Sequence, residues 1–357
     1  MNLNINNFRN LIFLYLIFKT ISLILLIYLL PIIFNKTYFY SNDFYNLYNK
    51  CQILGPNFLF SFIVCHLDIH TLEDPVAIFV SIILSLFKDY LFFLIAKKFL
   101  TQKYLILFVL LIASHPYLNL YFMKFSNDIF NNLGISIYFF LTFTNKVNHK
   151  LSFLIFFILS LLRNSLVFIL TVHYLYNIYL FIKKKKIIKN INLIYKNVIM
   201  IFIILIPVIL VNLNYLDDFL SSNNIYDLNI NFFLNKLNFL PLGIDYLFSS
   251  ILNILTHLVL LLSFREQAYT EFLLFFSNNN SYLIIYLVMG IVFFLYHFFG
   301  FFYFIKTKFK DNPYLIVILL SLMPNLFLVS HMRYFMPMMP ISIIGICLLL
   351  QTYNQKK

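Results

Sequence analysis

Tryptophan is absent from this chain of 357 residues, and glycine occurs six times. Charged residues make up 11% of the sequence, whereas a globular domain has about 25%. Hydrophobic residues reach 62%, and the mean hydropathy is +0.87. Because so few polar groups cannot cover the surface of a soluble fold, the composition excludes a water-soluble globular protein. It indicates a protein whose solvent is lipid.

Cysteine is scarce as well, and several sequence motifs are missing. Cys51, Cys65 and Cys347 have the spacing neither of a zinc site nor of a disulfide framework. A pairing of Cys51 with Cys65 across an outer loop stays open. No Walker, GxGxxG, GxSxG or HExxH motif supports a nucleotide-binding or hydrolase function. The six glycines leave few broken helices of the kind that transporters use.

The net charge of +13 comes from lysines in short runs between apolar stretches. This distribution is typical of cytoplasmic loops under the positive-inside rule, and it argues against nucleic acid as a partner. We therefore place these runs, together with the amino and carboxy termini, in the cytoplasm. The runs are Lys97, Lys98 and Lys103; Lys183, Lys184, Lys185, Lys186, Lys189 and Lys196; Lys306, Lys308 and Lys310; and Lys356 and Lys357.

Apolar stretches long enough to cross the hydrocarbon core, about 20 residues per helix, recur along the whole chain. The sequence predicts a single integral membrane domain over 1–357, an all-α polytopic bundle of about ten crossings. The first crossing is expected to be uncleaved, because its apolar core is too long for a signal peptide. The predicted crossings are 10–34, 75–96, 104–123, 129–144, 151–162, 165–182, 197–213, 282–305, 313–330 and 334–351.

Two predicted outer loops, 35–74 and 214–281, contain further apolar stretches at 53–68 and 246–264. With the lysines inside, these stretches are re-entrant or interfacial helices. Irregular backbone at membrane depth requires protein or a wet cavity around it, so we expect an enclosed cavity on the outer face. Of the 13 acidic residues, all except Asp89 and Asp311 fall on that face.

Two aspartates on the outer face are candidate catalytic residues. Asp43 follows the first crossing beside Tyr45, and its carboxylate could take a proton from an acceptor hydroxyl. The alternative is a solvated aspartate beside interfacial tyrosines. Asp128 precedes the fourth crossing in a short outer turn. Its alternative role is a helix N-cap, which satisfies free amides at the positive end of the dipole.

Two arginines on the same face are candidate phosphate ligands. Arg163 interrupts the apolar run 151–182, and Arg333 follows His331 just before the last crossing. A guanidinium offers bidentate donors to phosphate, and an arginine inside a membrane persists mainly where it faces a polar interior. The alternative for Arg163 is a side chain that extends to the interface.

Two further clusters have weaker functional interpretations. His66 and His70 have the four-residue spacing at which two histidines on a helix share a metal ion, but a third ligand is not evident. Lys88 and Asp89 lie inside the second crossing, where they form either an internal neutralising pair or part of a proton relay.

Three stretches carry a resemblance to a known family. Ser-Asn-Asp-Phe-Tyr-Asn-Leu-Tyr at 41–48, Ser-Asn-Asp at 126–128 and Arg-Tyr-Phe-Met-Pro-Met-Met-Pro at 333–340 resemble motifs of the multi-pass GT-C glycosyltransferases. The resemblance implies a GT-C-like fold, a polyprenyl-phosphate-linked sugar donor and a glycan, lipid-linked or protein acceptor. It further implies Asp43 as general base, Asp128 as the second acidic residue and Arg333 near the donor phosphate. No cofactor follows from it, although a divalent cation is compatible with it. Arg163, His331 and Tyr45 are further candidate substrate-binding residues.

Two departures from the GT-C pattern leave other functions open. The first loop has one aspartate rather than an acidic pair, and no sizeable soluble carboxy-terminal domain follows. The segment 41–170 also resembles EpsG-type or Wzy-type polysaccharide polymerases. A transporter or flippase, or an assembly subunit, are alternatives of another class. The membrane is the inner or plasma membrane in a bacterium and the endoplasmic reticulum in a eukaryote.

Overall fold

The described part of the chain is helical throughout, which confirms the predicted all-α class. A computed structural model describes residues 5–34, 58–67, 73–144, 154–155, 157–159, 162, 165–183, 191–206, 281–310, 312–320 and 336–356. The helices are α1 (Ile5–Phe34), α2 (Phe58–His66), α3 (Pro75–Phe99), α4 (Gln102–Ser114), α5 (Pro116–Leu120), α6 (Asn127–Thr144), α7 (Ser165–Lys183), α8 (Ile191–Ile206), α9 (Ser281–Lys308) and α10 (Met339–Lys356). A 3₁₀ turn, Met336–Met338, precedes α10.

Three of these helices are long and apolar enough to cross a membrane. They contain the apolar segments Arg9–Tyr28, Pro75–Phe99 and Leu166–Lys183, which have 20, 25 and 18 residues. Large hydrophobic side chains such as Phe13 and Phe79 remain 66% and 64% exposed on them. Because water would not tolerate such surfaces, the protein associates with a membrane.

Helices α3 and α6 lie side by side and run in the same direction. Near their carboxyl ends, the Lys98 ammonium donates to the Phe143 carbonyl, and the Phe99 and Phe143 rings lie 5.3 Å apart. Towards the start of α3, the Ser81 hydroxyl donates to the Phe122 carbonyl, just before α6. Helix α4, which lies between α3 and α6 in the sequence, must therefore run in the opposite direction.

Lysines gather at the end of the bundle where α3, α6 and α9 finish and α4 begins. The Lys308 nitrogen lies 4.4 Å from the centre of the Phe99 ring, and that ring also contacts Phe304. Gln351 of α10 accepts from the Thr101 amide at the start of α4. We call this the lysine end, and the opposite end the far end. The lysine end holds Lys97, Lys98, Lys103, Lys306 and Lys308.

Helices α9 and α10 are parallel and cross at two glycines. A Cβ added to Gly345 would overlap the Gly300 carbonyl, and one added to Gly300 would overlap the Ser342 carbonyl. Further along, the Tyr303 hydroxyl is 2.5 Å from the Thr352 hydroxyl. Small residues let helix backbones approach this closely, which is a common device of helix pairs in lipid.

Helices α6 and α7 are parallel as well. Gly134 faces the Leu166 side chain, and the Tyr138 hydroxyl is 2.9 Å from Nδ1 of His173. The chain that joins two parallel helices has to return along their length. Several residues between α6 and α7 in the sequence are described as helical, and two of them, Leu159 and Leu162, are buried.

The sequence predicts one continuous crossing at 104–123, but the helix breaks at His115. Pro116 disfavours a helical conformation of the preceding residue, and His115 has φ −67° and ψ 117°. The carbonyls freed at the end of α4 are satisfied by side chains. The Asn119 amide donates to the Ala113 carbonyl at 2.8 Å, and the Ser22 hydroxyl of α1 donates to the Ser114 carbonyl at 3.4 Å.

Candidate functional site

Most residues of the predicted catalytic site lie outside the described part of the chain. These are Asp43, Tyr45, Arg163, His331 and Arg333. Asp128 is the second residue of α6, so it lies in the first helical turn and not at the N-cap position. A carboxylate in this turn is favoured by the positive end of the helix dipole.

The far end of the bundle brings Asp128 near the segment that follows Arg333. Helix α6 starts there, and the turn Met336–Met338 packs against α6. Met338 is 4% exposed, so the start of α10 is anchored within the bundle. Asp128 and the 3₁₀ turn are thus at the opposite end of the bundle from the lysine end.

Helix α2 is at the far end too. The Phe60 ring is fully buried and lies 5.4 Å from the Phe125 ring and 5.9 Å from the Phe130 ring. Cys65 near the end of α2 is disulfide-bonded. Cys51, whose pairing with Cys65 the sequence leaves open, lies outside the described residues.

The predicted His66–His70 metal pair has one member in the described part of the chain. The His66 ring stacks on Phe62 at 3.7 Å between centroids, and its Nδ1 lies 3.0 Å from the Phe62 carbonyl. A nitrogen that donates to this carbonyl is not available to a metal. His70 lies outside the described residues. In the described ranges, no three histidine, cysteine or acidic side chains converge as metal ligands.

The most unusual buried group is a charge cluster between α1 and α3. Lys88 lies 3.3 Å from Oδ1 of Asp89, as the sequence predicts for an internal pair. Lys19 of α1 adds a second ammonium 3.3 Å from Oδ2, and the Tyr15 hydroxyl donates to the same oxygen at 2.6 Å. The side chains of Lys19, Lys88 and Asp89 are at most 4% exposed.

The cluster lies near the middle of both helices. Asp89 is ten residues before the end of α3, which corresponds to about 15 Å of helix. Lys19 lies at the centre of the 30-residue helix α1. Helices α1 and α3 run in opposite directions. Because the ionic contacts lie halfway along both helices, they hold the middle turns of α1 and α3 against each other.

Polar contacts continue from this cluster towards the helix break. The Lys19 nitrogen lies 4.3 Å from the centre of the Phe122 ring, a favourable cation–π distance. One turn along α1, the Ser22 hydroxyl accepts from the Asn119 amide at 2.6 Å. Asn119 is fully buried, so the break after α4 is held inside protein, as backbone at membrane depth requires.

Two histidines complete this network. Nε2 of His115 lies 3.0 Å from Nε2 of His297 on α9. Nδ1 of His115 accepts from the Leu118 amide, so a neutral His115 ring carries its proton on Nε2 and donates it to His297.

Sequence reasoning identified Lys88 and Asp89 but missed Lys19, His115 and His297. A signal was available, because a lysine in the middle of an apolar run is expensive in lipid and needs a partner. Which residue is the partner depends on packing between distant helices. The assembled group can hold an anion against two ammonium groups, or relay a proton between adjacent side chains.

No protein-family model, no curated protein and no solved structure matches this chain.

Proposed function

We propose that this protein is a multi-pass membrane glycosyltransferase of GT-C type. It transfers a sugar from a polyprenyl-phosphate-linked donor to a glycan, lipid-linked or protein acceptor at the far end of the bundle. The main supporting observation is the separation of that end, where Asp128 lies in the first turn of α6, from the lysine end.

The helix directions support about ten crossings. Helices α1 and α4 run towards the far end, and α3, α6, α7, α9 and α10 run towards the lysine end. Where two successive helices are parallel, the chain between them has to traverse the bundle. This applies to the segments between α6 and α7 and between α9 and α10, where crossings at 151–162 and 313–330 are predicted.

The charge distribution supports the orientation. Under the positive-inside rule the lysine end is cytoplasmic, so the far end faces the opposite compartment. The disulfide of Cys65 agrees with this orientation, because such bonds persist in oxidising compartments outside the cytosol.

The covalent chain brings the proposed donor ligand close to this end. Arg333 precedes the anchored turn Met336–Met338 by three residues, a reach of at most about 11 Å. Since the turn packs on α6, the arginine lies within this reach of the part of the bundle that contains the start of α6.

The proposed reaction is a displacement at the anomeric carbon. Asp43 accepts the proton of the acceptor hydroxyl, and the acceptor oxygen forms the new bond to the anomeric carbon. The bond from that carbon to the donor phosphate oxygen breaks, and polyprenyl phosphate leaves with the electron pair. Arg333 and Arg163, with His331 and Tyr45, bind the departing phosphate where negative charge develops. Asp128 orients the acceptor, and a divalent cation at the phosphate is compatible with this arrangement.

The catalytic assignment is tested with Asp43→Asn. We expect sugar transfer from a radiolabelled polyprenyl-phosphate donor to fall at least about 100-fold, as general-base loss does. Glu73→Gln is the matched control, because Glu73 is an exposed acidic residue just before α3. Transfer by Asp43→Asn at the rate of the control removes Asp43 from the reaction.

The orientation is tested with two exposed positions. Glu73 lies at the far end and Lys103 at the lysine end. In intact cells or sealed microsomes, an impermeant maleimide should label Lys103→Cys and Glu73→Cys from opposite sides of the membrane. The unsubstituted chain is the control for its native cysteines. Labelling of both variants from one side contradicts the proposed topology.

A transporter or flippase is the second candidate, and the broken helix α4–α5 beside a mid-membrane charge cluster favours it. The two functions differ in their products. In proteoliposomes, a transferase makes a new glycosidic bond, whereas a flippase moves the lipid-linked sugar unchanged. A polysaccharide polymerase would lengthen a glycan chain, which separates it from a single-sugar transferase.

A further inference from the structure

The cluster between α1 and α3 has two ammonium groups for one carboxylate. Within the described residues, Asp89 is the one acidic side chain within ion-pairing distance of Lys19 or Lys88. Tyr15 donates to Asp89 and therefore adds no negative charge. With all three groups ionised, the cluster carries one net positive charge.

Such a charge is costly at this depth. Lys19 is 2% exposed, Lys88 3% and Asp89 4%, so water does not screen them. An excess charge buried in protein destabilises a fold, and helices in lipid retain such residues mainly for function.

The surroundings favour an anion rather than a cation. The ammonium groups of Lys19 and Lys88 contact different oxygens of the same carboxylate, each at 3.3 Å. The nearest polar groups on the side of the helix break are uncharged, namely the Ser22 hydroxyl and the Asn119 amide. A second anion would neutralise the cluster, whereas a metal cation would be repelled.

We propose that Lys19 and Lys88 form a binding site for a phosphate group at the level of the helix break. Lysine ammonium groups bind phosphate as point charges, and each offers three donors to its several oxygens. The surrounding apolar body suits a phosphate attached to a hydrocarbon chain. The identification of this group with the phosphate of a lipid-linked donor or of released polyprenyl phosphate rests on the proposed function. The anion site itself does not depend on the proposed function.

The experiment uses the full-length protein in a mild detergent and follows its thermal unfolding by circular dichroism. The probes are dodecyl phosphate, inorganic phosphate and, as a neutral match, dodecanol. We expect dodecyl phosphate to raise Tm in a saturable way and dodecanol to leave Tm unchanged. Lys88→Met should raise the half-saturating concentration about tenfold or more, the value of one charge-assisted hydrogen bond.

Lys88→Met also tests the charge argument without any ligand. It leaves Lys19 paired with Asp89, so the ligand-free variant should be at least as stable as the native protein. Lys103→Met is the control, because Lys103 is exposed at the lysine end. Lys88→Arg keeps the charge and should keep the response to dodecyl phosphate.

Each result separates the hypotheses. An unchanged half-saturating concentration in Lys88→Met overturns the site, and so does a Lys88→Met protein that unfolds or fails to assemble. An equal response to inorganic phosphate supports the anion site but overturns its assignment to a lipid. If Asp43→Asn loses sugar transfer but dodecyl phosphate does not raise the Tm of the native chain, the proposed function is supported and the anion site is wrong.

Discussion

Replacing Gly345 by alanine tests the packing of α9 on α10 most directly. The added methyl group would overlap the Gly300 carbonyl, which belongs to the backbone of a helix and cannot rotate away. Alanine itself favours the helix by roughly 0.5–1 kcal/mol over glycine. Overpacking usually costs about 1–3 kcal/mol, and the upper part of this range applies where both partners are backbone. The steric cost therefore exceeds the gain in helix propensity, and we expect Gly345→Ala to destabilise the fold by about 1–2 kcal/mol.

A second glycine provides the comparison. A Cβ on Gly134 would come within 2.5 Å of Cδ1 of Leu166, but that atom is the end of a flexible side chain. Gly134→Ala should therefore lose clearly less stability than Gly345→Ala, since Leu166 can change its rotamer. Leu349→Ala on α10 is the control, because Leu349 is 39% exposed. Unfolding in detergent, followed by circular dichroism, measures all three variants. If Gly345→Ala is as stable as the native protein, the close crossing of α9 and α10 is wrong.

Three further substitutions have defined expectations in the same unfolding assay. Asp89→Asn leaves Lys19 and Lys88 buried without a counter-charge, so it should lower the free energy of unfolding by about 3–5 kcal/mol. A loss of stability smaller than that of a surface substitution would contradict the cluster. Asn119→Leu removes the donor to the Ala113 carbonyl at the end of α4 and should lower the free energy of unfolding by about 1–3 kcal/mol. An unchanged stability would show that water replaces this hydrogen bond. Asp74→Ala removes the side chain that caps the second amide of α3 and should cost about 1 kcal/mol, whereas Asp74→Asn should retain most of the cap.

The helix positions were readable from the sequence because each depends on local signals. The prediction of 75–96 agrees with α3, whose start is set by Asp74 as N-cap and a proline at the first helical position. The predictions of 129–144 and 165–182 agree similarly with α6 and α7. Apolar composition was sufficient there, since lipid requires little more of a helix than length and hydrophobicity.

Contacts between helices were not readable in this way. Hydropathy treats Lys19 as one exception in an apolar run, and only the packed structure supplies Asp89 as its partner, 70 residues away. The break at His115 was within reach, because Pro116 is visible in the sequence. Because proline also breaks a helix, the scarcity of glycine did not exclude this break. The predicted catalytic residues, Asp43 and Arg333 among them, stay a prediction, because they lie outside the described residues.

The break in α4 and the charge cluster have a common physical logic. Apolar packing stabilises a helix bundle in lipid without any buried ion, so neither feature is needed for the fold. Yet Asn119 and Ser22 hold the broken end of α4 within the bundle, one turn from Lys19 along α1. A buried polar region with an excess charge is costly in lipid, and such regions are retained mainly for a function at that depth. The proposed catalysis at the far end alone would not require it, whereas the proposed binding of a phosphate on a long apolar chain would.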